Sequence, residues 1–164
     1  MTDAPGAELT PPVGGLLPRR AARVLLLDGL GRVLLLRGCD PAQPDRRYWF
    51  TVGGGQDPGE SSRECAVREL FEETGKRAEP EQLVGPVWHE VTRFPFDGLW
   101  YEQEQDFFVL RVATWEVDLS RLNDIERATV DESRWWSVPE LESTGERIYP
   151  PDLPALLRTV EEER

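Results

Sequence analysis

The segment Gly53–Gly75, GGGQDPGESSRECAVRELFEETG, constrains the fold of this chain more than any other stretch. Tyr48 to Val52 ahead of it is short and β-prone, and it runs into three glycines. Glycines after a strand let the backbone turn sharply and approach another group closely. From Ser61 to Thr74 the period becomes helical. Ser61 and Glu64 fit a capping box, in which each side chain satisfies a backbone N–H at the other's position. Gly75 stands where a left-handed helix stop belongs. The helix has two unlike edges. Ala66, Val67, Leu70 and Thr74 form an edge that must face a core. Glu69, Glu72 and Glu73 fall within about 100° of arc on the neighbouring edge, with Arg68 on its flank.

Three carboxylates on one helix edge repel one another, by roughly 0.2–0.5 kcal/mol per exposed pair and more where they are partly buried. A face shaped only for stability would alternate signs. A hard divalent cation relieves the repulsion, because Mg²⁺ takes carboxylate oxygen and keeps waters that a phosphate can share. The glycine turn is suited to the same task, since it can bring backbone, including a carbonyl, up to an ion or a phosphate. The alternative for such a face is a merely solvated row of acids.

The rest of the chain reads as one domain. Residues 1–18 are rich in Pro, Gly and Thr without period and are expected to form a flexible tail, leaving 19–164 as the folded unit. Val24–Leu27 and Val33–Leu36 are apolar runs around an Asp28-Gly29 turn, a hairpin of buried strands. Leu83–Thr92 and Gln105–Thr114 read as strands separated by a loop, Arg93 to Glu104. Arg134–Ser137 reads as a short strand, Val138-Pro139-Glu140-Leu141 as the opening of a short helix, and Pro151–Glu161 as a final helix. This mixture is an α/β (α+β) layered domain.

The Gly53–Gly75 segment resembles the Nudix box, G-x5-E-x7-R-E-U-x-E-E-x-G-U with U apolar. Gly54, Glu60, Arg68, Glu69, Glu72, Glu73 and Gly75 occupy its fixed positions at the required spacing. Lys76 stands where the pattern ends on an apolar residue, and Val52 where many members carry Pro. The resemblance implies a Nudix-type mixed β-sheet sandwiched between helices. It implies hydrolysis of a pyrophosphate bond in a nucleoside diphosphate linked to a group X, with Mg²⁺ or alternatively Mn²⁺ held by Glu69, Glu72, Glu73 and the carbonyl of Gly53. Glu69, Arg68, Glu72 and Glu73 are the implied catalytic residues, with Arg68 orienting a carboxylate and Glu60 either joining the same network or sitting near a metal. The general base is either Glu69 or a downstream acid: Glu102, Glu104, Asp106, Glu126, Asp131 or Glu132. Arg46, Arg47 and Arg93 are candidates for phosphate, and Tyr48, Trp49, Trp88, Phe94, Phe96, Trp100 and Tyr101 for a base platform. Downstream marks of Nudix subgroups do not resolve: Glu90 stands where the ADP-ribose group tends to have Pro, and Val91 to Phe94 lacks the Tyr of the dinucleoside polyphosphate group. Nucleoside triphosphates are thereby slightly favoured.

Lys and Arg number 19 against 31 Asp and Glu, a formal charge of −12. Nucleic-acid and anionic-membrane binders rely on the opposite balance, so neither is expected as a partner. The expected partner is a small nucleotide-type diphosphate, and a homodimer is compatible with an exposed N-terminal segment and strand edges. Cys39 and Cys65 are too few for a disulfide framework, and with no basic signal at the N-terminus they point to a cytoplasmic setting. Cys65 is expected to be a small spacer, and the lone His89 a structural residue. Two other functions fit the pattern less well. A nucleotide-sensing binding domain would tolerate loss of the box carboxylates, and a diphosphate isomerase would need an altered box.

Overall fold

Every strand that carries an unbroken apolar run is covered on both faces, and this sets the layering. The computed structural model describes residues 15–164. β1 (Leu16–Leu27) lies between β5 (Leu99–Arg111), to which it runs parallel along its whole length, and the antiparallel strands β2 (Val33–Gly38) and β3 (Tyr48–Gly55). β4 (Val84–Phe96) pairs antiparallel with β5 at one edge. β7 (Ile148–Tyr149) adds to β3 at the other, and β6 (Glu132–Trp136) pairs with β2. The result is a seven-stranded mixed sheet in the order β4-β5-β1-β2-β3-β7 with β6 beside β2.

Alternation along β1 divides its apolar run. Val24 and Leu26 join Leu34, Val52, Phe108, Cys65, Ala66 and Leu70 beneath α1 (Ser62–Thr74). Leu25 and Leu27 join Val33, Leu35, Trp49, Phe107 and Trp136 on the other face, covered by α3 (Val138–Ser143) and α4 (Leu153–Glu162). A fully buried strand reads as a continuous apolar run for this reason. A fourth helix, α2 (Asp124–Thr129), sits between β5 and β6.

The glycine loop and its helix form as their residues dictate. Ser61 Oγ accepts from Glu64 N–H, Glu64 accepts from Ser61 N–H, and Gly75 closes the helix at φ 79°. Elsewhere the structure differs from the sequence expectation in three places. β1 begins at Leu16, inside the expected tail, because pairing with Trp100–Glu102 of β5 supplies its hydrogen bonds; residues 1–14 of that tail lie outside the described residues. The expected loop 93–104 is strand on both sides of a tight turn: Asp97 (φ 51°) and Gly98 (φ 81°) both hold positive φ, the signature of a two-residue hairpin turn. α2 lies in a stretch for which no helix was expected, although Asn123 and Glu126 form a capping box at its start.

Candidate active site

The carboxylates of α1 meet the glycines of β3 at contact distance. Gly53 N–H donates to Glu73 Oε1 at 2.7 Å. Gly53 holds φ 144°, and a Cβ there would stand 2.2 Å from the Ala22 carbonyl oxygen. A Cβ on Gly54 would stand 2.7 Å from the Glu69 carboxylate. Only glycine lets the strand end and the acidic helix edge pack this closely.

Arg68 organises the solvent side of that edge. Its Nε and Nη2 donate to the two Glu60 oxygens at 2.7 and 2.9 Å, a bidentate pair. Nη1 donates to Glu69 Oε1 at 2.9 Å and to Glu72 Oε2 at 3.2 Å, and Nη2 donates to the Gly55 carbonyl at 2.9 Å. Hydrogen bonding from Arg68 holds the Glu60 carboxyl below the usual carboxylate range. Arg68 is fully engaged by these groups and acts by orienting them.

The tight acidic cluster differs in membership from the helix-edge expectation. Glu69, Glu73 and Glu126 offer carboxylate oxygens that all lie within 4.8 Å of one another. Glu72 lies on the outer side of the helix, half-exposed and turned to Arg68. Glu126 comes from α2, and of the six downstream acids it alone joins this cluster. Asp106 instead accepts from Ser62 and contacts His89, Glu102 pairs with Arg93, Glu104 with Arg20, and Asp131 and Glu132 with Arg37. Burial, together with the charges of Glu126 and Glu72, pushes Glu69 up to about 7 against the pull of Arg68. Burial pushes Glu73, 1% exposed, well above the usual range, with the charges of Glu69 and Glu126 adding to it. Three like-signed oxygen donors with too little positive charge beside them fit a hard divalent cation. The carbonyl of Gly53, the further expected ligand, accepts from Arg23 Nη1 at 3.1 Å.

Beside the cluster lies a cleft of about 230 Å³, lined by Tyr48, Phe50, Phe94, Phe96 and Ile125 and floored by Glu69, Glu73 and Glu126. Trp49 is instead core, edge-on to Trp136. The three expected phosphate-binding arginines lie outside the cleft lining. Arg46 donates to Gln43, Arg47 to the Thr129 carbonyl, and Arg93 to Glu102 on the exposed hairpin. Arg19 and Arg23 of β1 line the cleft in their place. Sequence reasoning passed over them because they sit at the start of an apolar strand, with no motif to mark them. Cys65 is buried with Sγ 3.3 Å from the Gly54 carbonyl, and burial pushes its thiol up to about 12, so it is a spacer and not a nucleophile.

A buried carboxylate cluster behind a glycine turn, opening on an aromatic cleft, is the arrangement expected of a hydrolase of phosphate anhydrides. Comparison with known proteins gives that class its family. The NUDIX domain model matches residues 17–163, and the chain belongs to the Nudix family. An RNA pyrophosphohydrolase from Novosphingobium aromaticivorans is 32% identical over 137 residues, covering 74% of this chain and 78% of that protein. Another, from Rhodopseudomonas palustris, is 29% identical over 154 residues, covering 88% and 90%. Among solved structures, the MutT protein of Methanosarcina mazei superposes with a TM-score of 0.65 at 21% identity, covering 90% of this chain and 96% of that one. The Ap4A hydrolase of C. elegans superposes with a TM-score of 0.58 at 21% identity, covering 88% and 96%. The protein is a Nudix pyrophosphohydrolase. No helix among the described residues is long and apolar enough to cross a membrane.

Proposed function

We propose that the protein hydrolyses a nucleoside diphosphate linked to a group X in a Mg²⁺-dependent reaction, with nucleoside triphosphates as the favoured class. One observation carries this reading: the Glu69, Glu73 and Glu126 oxygens, within 4.8 Å of each other, form the floor of an aromatic-lined cleft. At about 230 Å³ the cleft is smaller than the roughly 300–1,000 Å³ typical of sites for drug-sized ligands. It suits one nucleoside, with the anhydride over the carboxylates.

Glu69, Glu73 and Glu126 would hold the cation, which when bound neutralises the polyphosphate and stabilises charge on the leaving oxygen. The chain's own residues do the rest. Arg68 keeps Glu69 and Glu72 oriented, Gly53 N–H fixes Glu73, and the aromatic walls exclude water around the base. Water's oxygen joins phosphorus while the bridging oxygen leaves with its bonding pair, and a carboxylate takes the proton. Glu69 and Glu126 both stand in the cluster to accept it. Glu126 is the downstream candidate that this placement supports, because among the described residues it has no arginine partner.

A second reading has specific support. The relatives from N. aromaticivorans and R. palustris are RNA pyrophosphohydrolases, so the substrate nucleoside would be the first residue of a 5′-triphosphorylated RNA. A net charge of −12 disfavours a long RNA body. A panel of nucleoside triphosphates, 5′-triphosphorylated oligonucleotides, ADP-ribose and Ap4A, with Mg²⁺ and then EDTA, tests both. Turnover lost in EDTA and highest on triphosphates supports the first reading. Turnover confined to the oligonucleotides supports the second, and EDTA-resistant turnover overturns both.

A further inference from the structure

Glu126 reaches the acidic cluster from a helix that has little to hold it there. α2 has six residues, well under the roughly 12–15 that an isolated helix needs in water. Thr129 is its only buried residue, and Ile125 is 56% exposed. Apolar burial therefore does little to fix it. The carboxylate it carries stands within 4.8 Å of Glu69 and Glu73, so like charge pushes it outward. Hydrogen bonds at the two ends of α2 resist that push. At the C-terminal end Arg47 Nη1 donates to the Thr129 carbonyl at 2.9 Å, and Val130 N–H donates to the Glu126 carbonyl at 2.7 Å. At the N-terminal end Asn123 Oδ1 accepts from Glu126 N–H at 2.8 Å, and Asn123 N–H donates to Glu126 Oε1 at 3.2 Å.

That last pair sets α2 apart from the other helices. α1, α2 and α3 each open on a capping box, in which the third helical residue returns its side chain to the cap. In α1 that residue is Glu64, which is exposed, and in α3 it is Glu140, which also answers Arg134. In α2 it is Glu126. One carboxylate thus belongs both to the start of its own helix and to the cluster with Glu69 and Glu73. Asn123 lines the cleft and also a polar basin of about 490 Å³ beside it, whose other walls include Arg19, Gln56, Arg68, Glu69 and Arg121. Its side chain therefore has two roles open to it, the cap and a direct contact with whatever fills the basin.

We propose that Asn123 is a positioning residue for the cation site. Its capping box holds one Glu126 oxygen and leaves the other for a divalent cation, so closing of the cap and binding of the cation are a single linked equilibrium. This rests on the reading of the acidic cluster as a cation site. Without a cation, repulsion from Glu69 and Glu73 works against the cap. With one bound, Glu126 is drawn in and α2 is completed. Linkage makes the effect reciprocal: by whatever factor the cap strengthens cation binding, the cation strengthens the cap.

The test titrates Mg²⁺ calorimetrically into wild type, Asn123→Ala, Asn123→Ser, Glu73→Gln and Glu126→Gln. It also follows hydrogen exchange, with and without Mg²⁺, at the Arg127 and Val130 amides, which close the turns of α2 on the Asn123 and Glu126 carbonyls. Losing an N-cap lowers the formation constant of a helix about two- to thirtyfold, and Mg²⁺ affinity in Asn123→Ala should fall by a factor in that range. Ser caps about as well as Asn but carries no amide, so Asn123→Ser should return close to wild type. Mg²⁺ should raise the protection of both amides in wild type and not in Glu126→Gln. Unchanged Mg²⁺ affinity in Asn123→Ala overturns the proposal, even where its urea midpoint falls, because a cap with only a structural role moves the midpoint alone. Protection that Mg²⁺ leaves unmoved in wild type overturns it too. So does an Asn123→Ser variant as weak as Asn123→Ala, since the side chain would then act through its amide and not as a cap. If Glu73→Gln and Glu126→Gln bind Mg²⁺ as wild type does, the cation-site reading falls and the proposal with it. If they lose Mg²⁺ while Asn123→Ala keeps it, only the proposal falls.

Discussion

Stripped of divalent cations, the protein should lose stability as pH rises from about 5 to about 8, and Glu69 sets the scale of the loss. Its carboxyl titrates near 4.5 in the unfolded chain and at about 7 in the folded one, where it is 8% exposed. Below 4.5 both states are protonated and nothing is lost. Between the two values the unfolded chain releases a proton that the folded chain keeps, so stability falls with rising pH. At about 1.4 kcal/mol per pH unit the loss from Glu69 is about 3 kcal/mol, and Glu73 shifts the same way. Carboxyls held down by arginine, such as Glu60 by Arg68 and Asp131 by Arg37, act oppositely, but their support is complete above about pH 5 and lost only on further acidification. The assay is urea unfolding in EDTA across this range, repeated on Glu69→Gln. Between pH 5 and 8 wild type should lose about 2.5 kcal/mol through Glu69, with Glu73 adding in the same direction, and the variant should lose less by roughly the Glu69 share. Mg²⁺ at about a hundred times its Kd should return about 2.7 kcal/mol near pH 8 and little near pH 5, where the ligands are protonated. A stability profile in EDTA that is flat from pH 5 to 8 would show that burial and the neighbouring acids do not raise Glu69 and Glu73 as argued.

Glu73→Gln keeps the shape and the acceptor for Gly53 N–H but removes the charge; turnover should fall on the order of 10²–10⁴-fold, with the urea midpoint in EDTA at pH 8 unchanged or raised. Gly54→Ala places a methyl 2.7 Å from the Glu69 carboxylate, so calorimetric Mg²⁺ affinity should drop even where circular dichroism is unaltered. Asp131→Asn loosens the bidentate pair with Arg37 that ties the chain after α2 to β2; because both side chains are about one-third exposed, the stability cost should stay under about 1 kcal/mol, while Mg²⁺ affinity falls through displacement of Glu126. An unchanged Mg²⁺ titration in that variant would show that α2 is placed by other contacts.

What could be read in advance was the local part of the site. Helix α1, its capping box, its Gly75 stop and the engagement of Arg68 by neighbouring acids all depend on residues a few positions apart. The β4–β5 hairpin was missed although Asp97-Gly98 is a strong turn signal, because Arg93, Glu102 and Glu104 make its strands polar. They are polar because alternate residues at that end of the hairpin face water. Glu126 stood among six equivalent acids, and only the position of α2 over the glycine loop separates it from the rest. Arg19 and Arg23 carry no local mark at all. Their relevance comes from the register that places Arg23 opposite Gly53 and Ala21 opposite Gly55.

If the proposed function holds, the placement of charge also predicts how substrate arrives. Among the described residues Glu73 receives one backbone N–H and no cationic side chain, while the Arg68 guanidinium is spent on Glu60, Glu69 and Glu72. Arg19 has the opposite deficit, a cation without an anion: its guanidinium lies over the Tyr101 ring at 5.8 Å and makes no ion pair among the described residues. Arg19 and Glu69 line the same cleft and the same basin, yet no ion pair joins them. A chain of net charge −12 repels a bare polyphosphate, and a free divalent cation leaves Arg19 uncompensated. A polyphosphate already carrying its cation answers both deficits in one encounter, and each half of that complex strengthens the hold on the other. Under the proposed function, binding of cation and anhydride should therefore be coupled, and any such coupling is reciprocal by thermodynamic necessity: whatever factor Mg²⁺ adds to the affinity for pyrophosphate, pyrophosphate should add to the affinity for Mg²⁺.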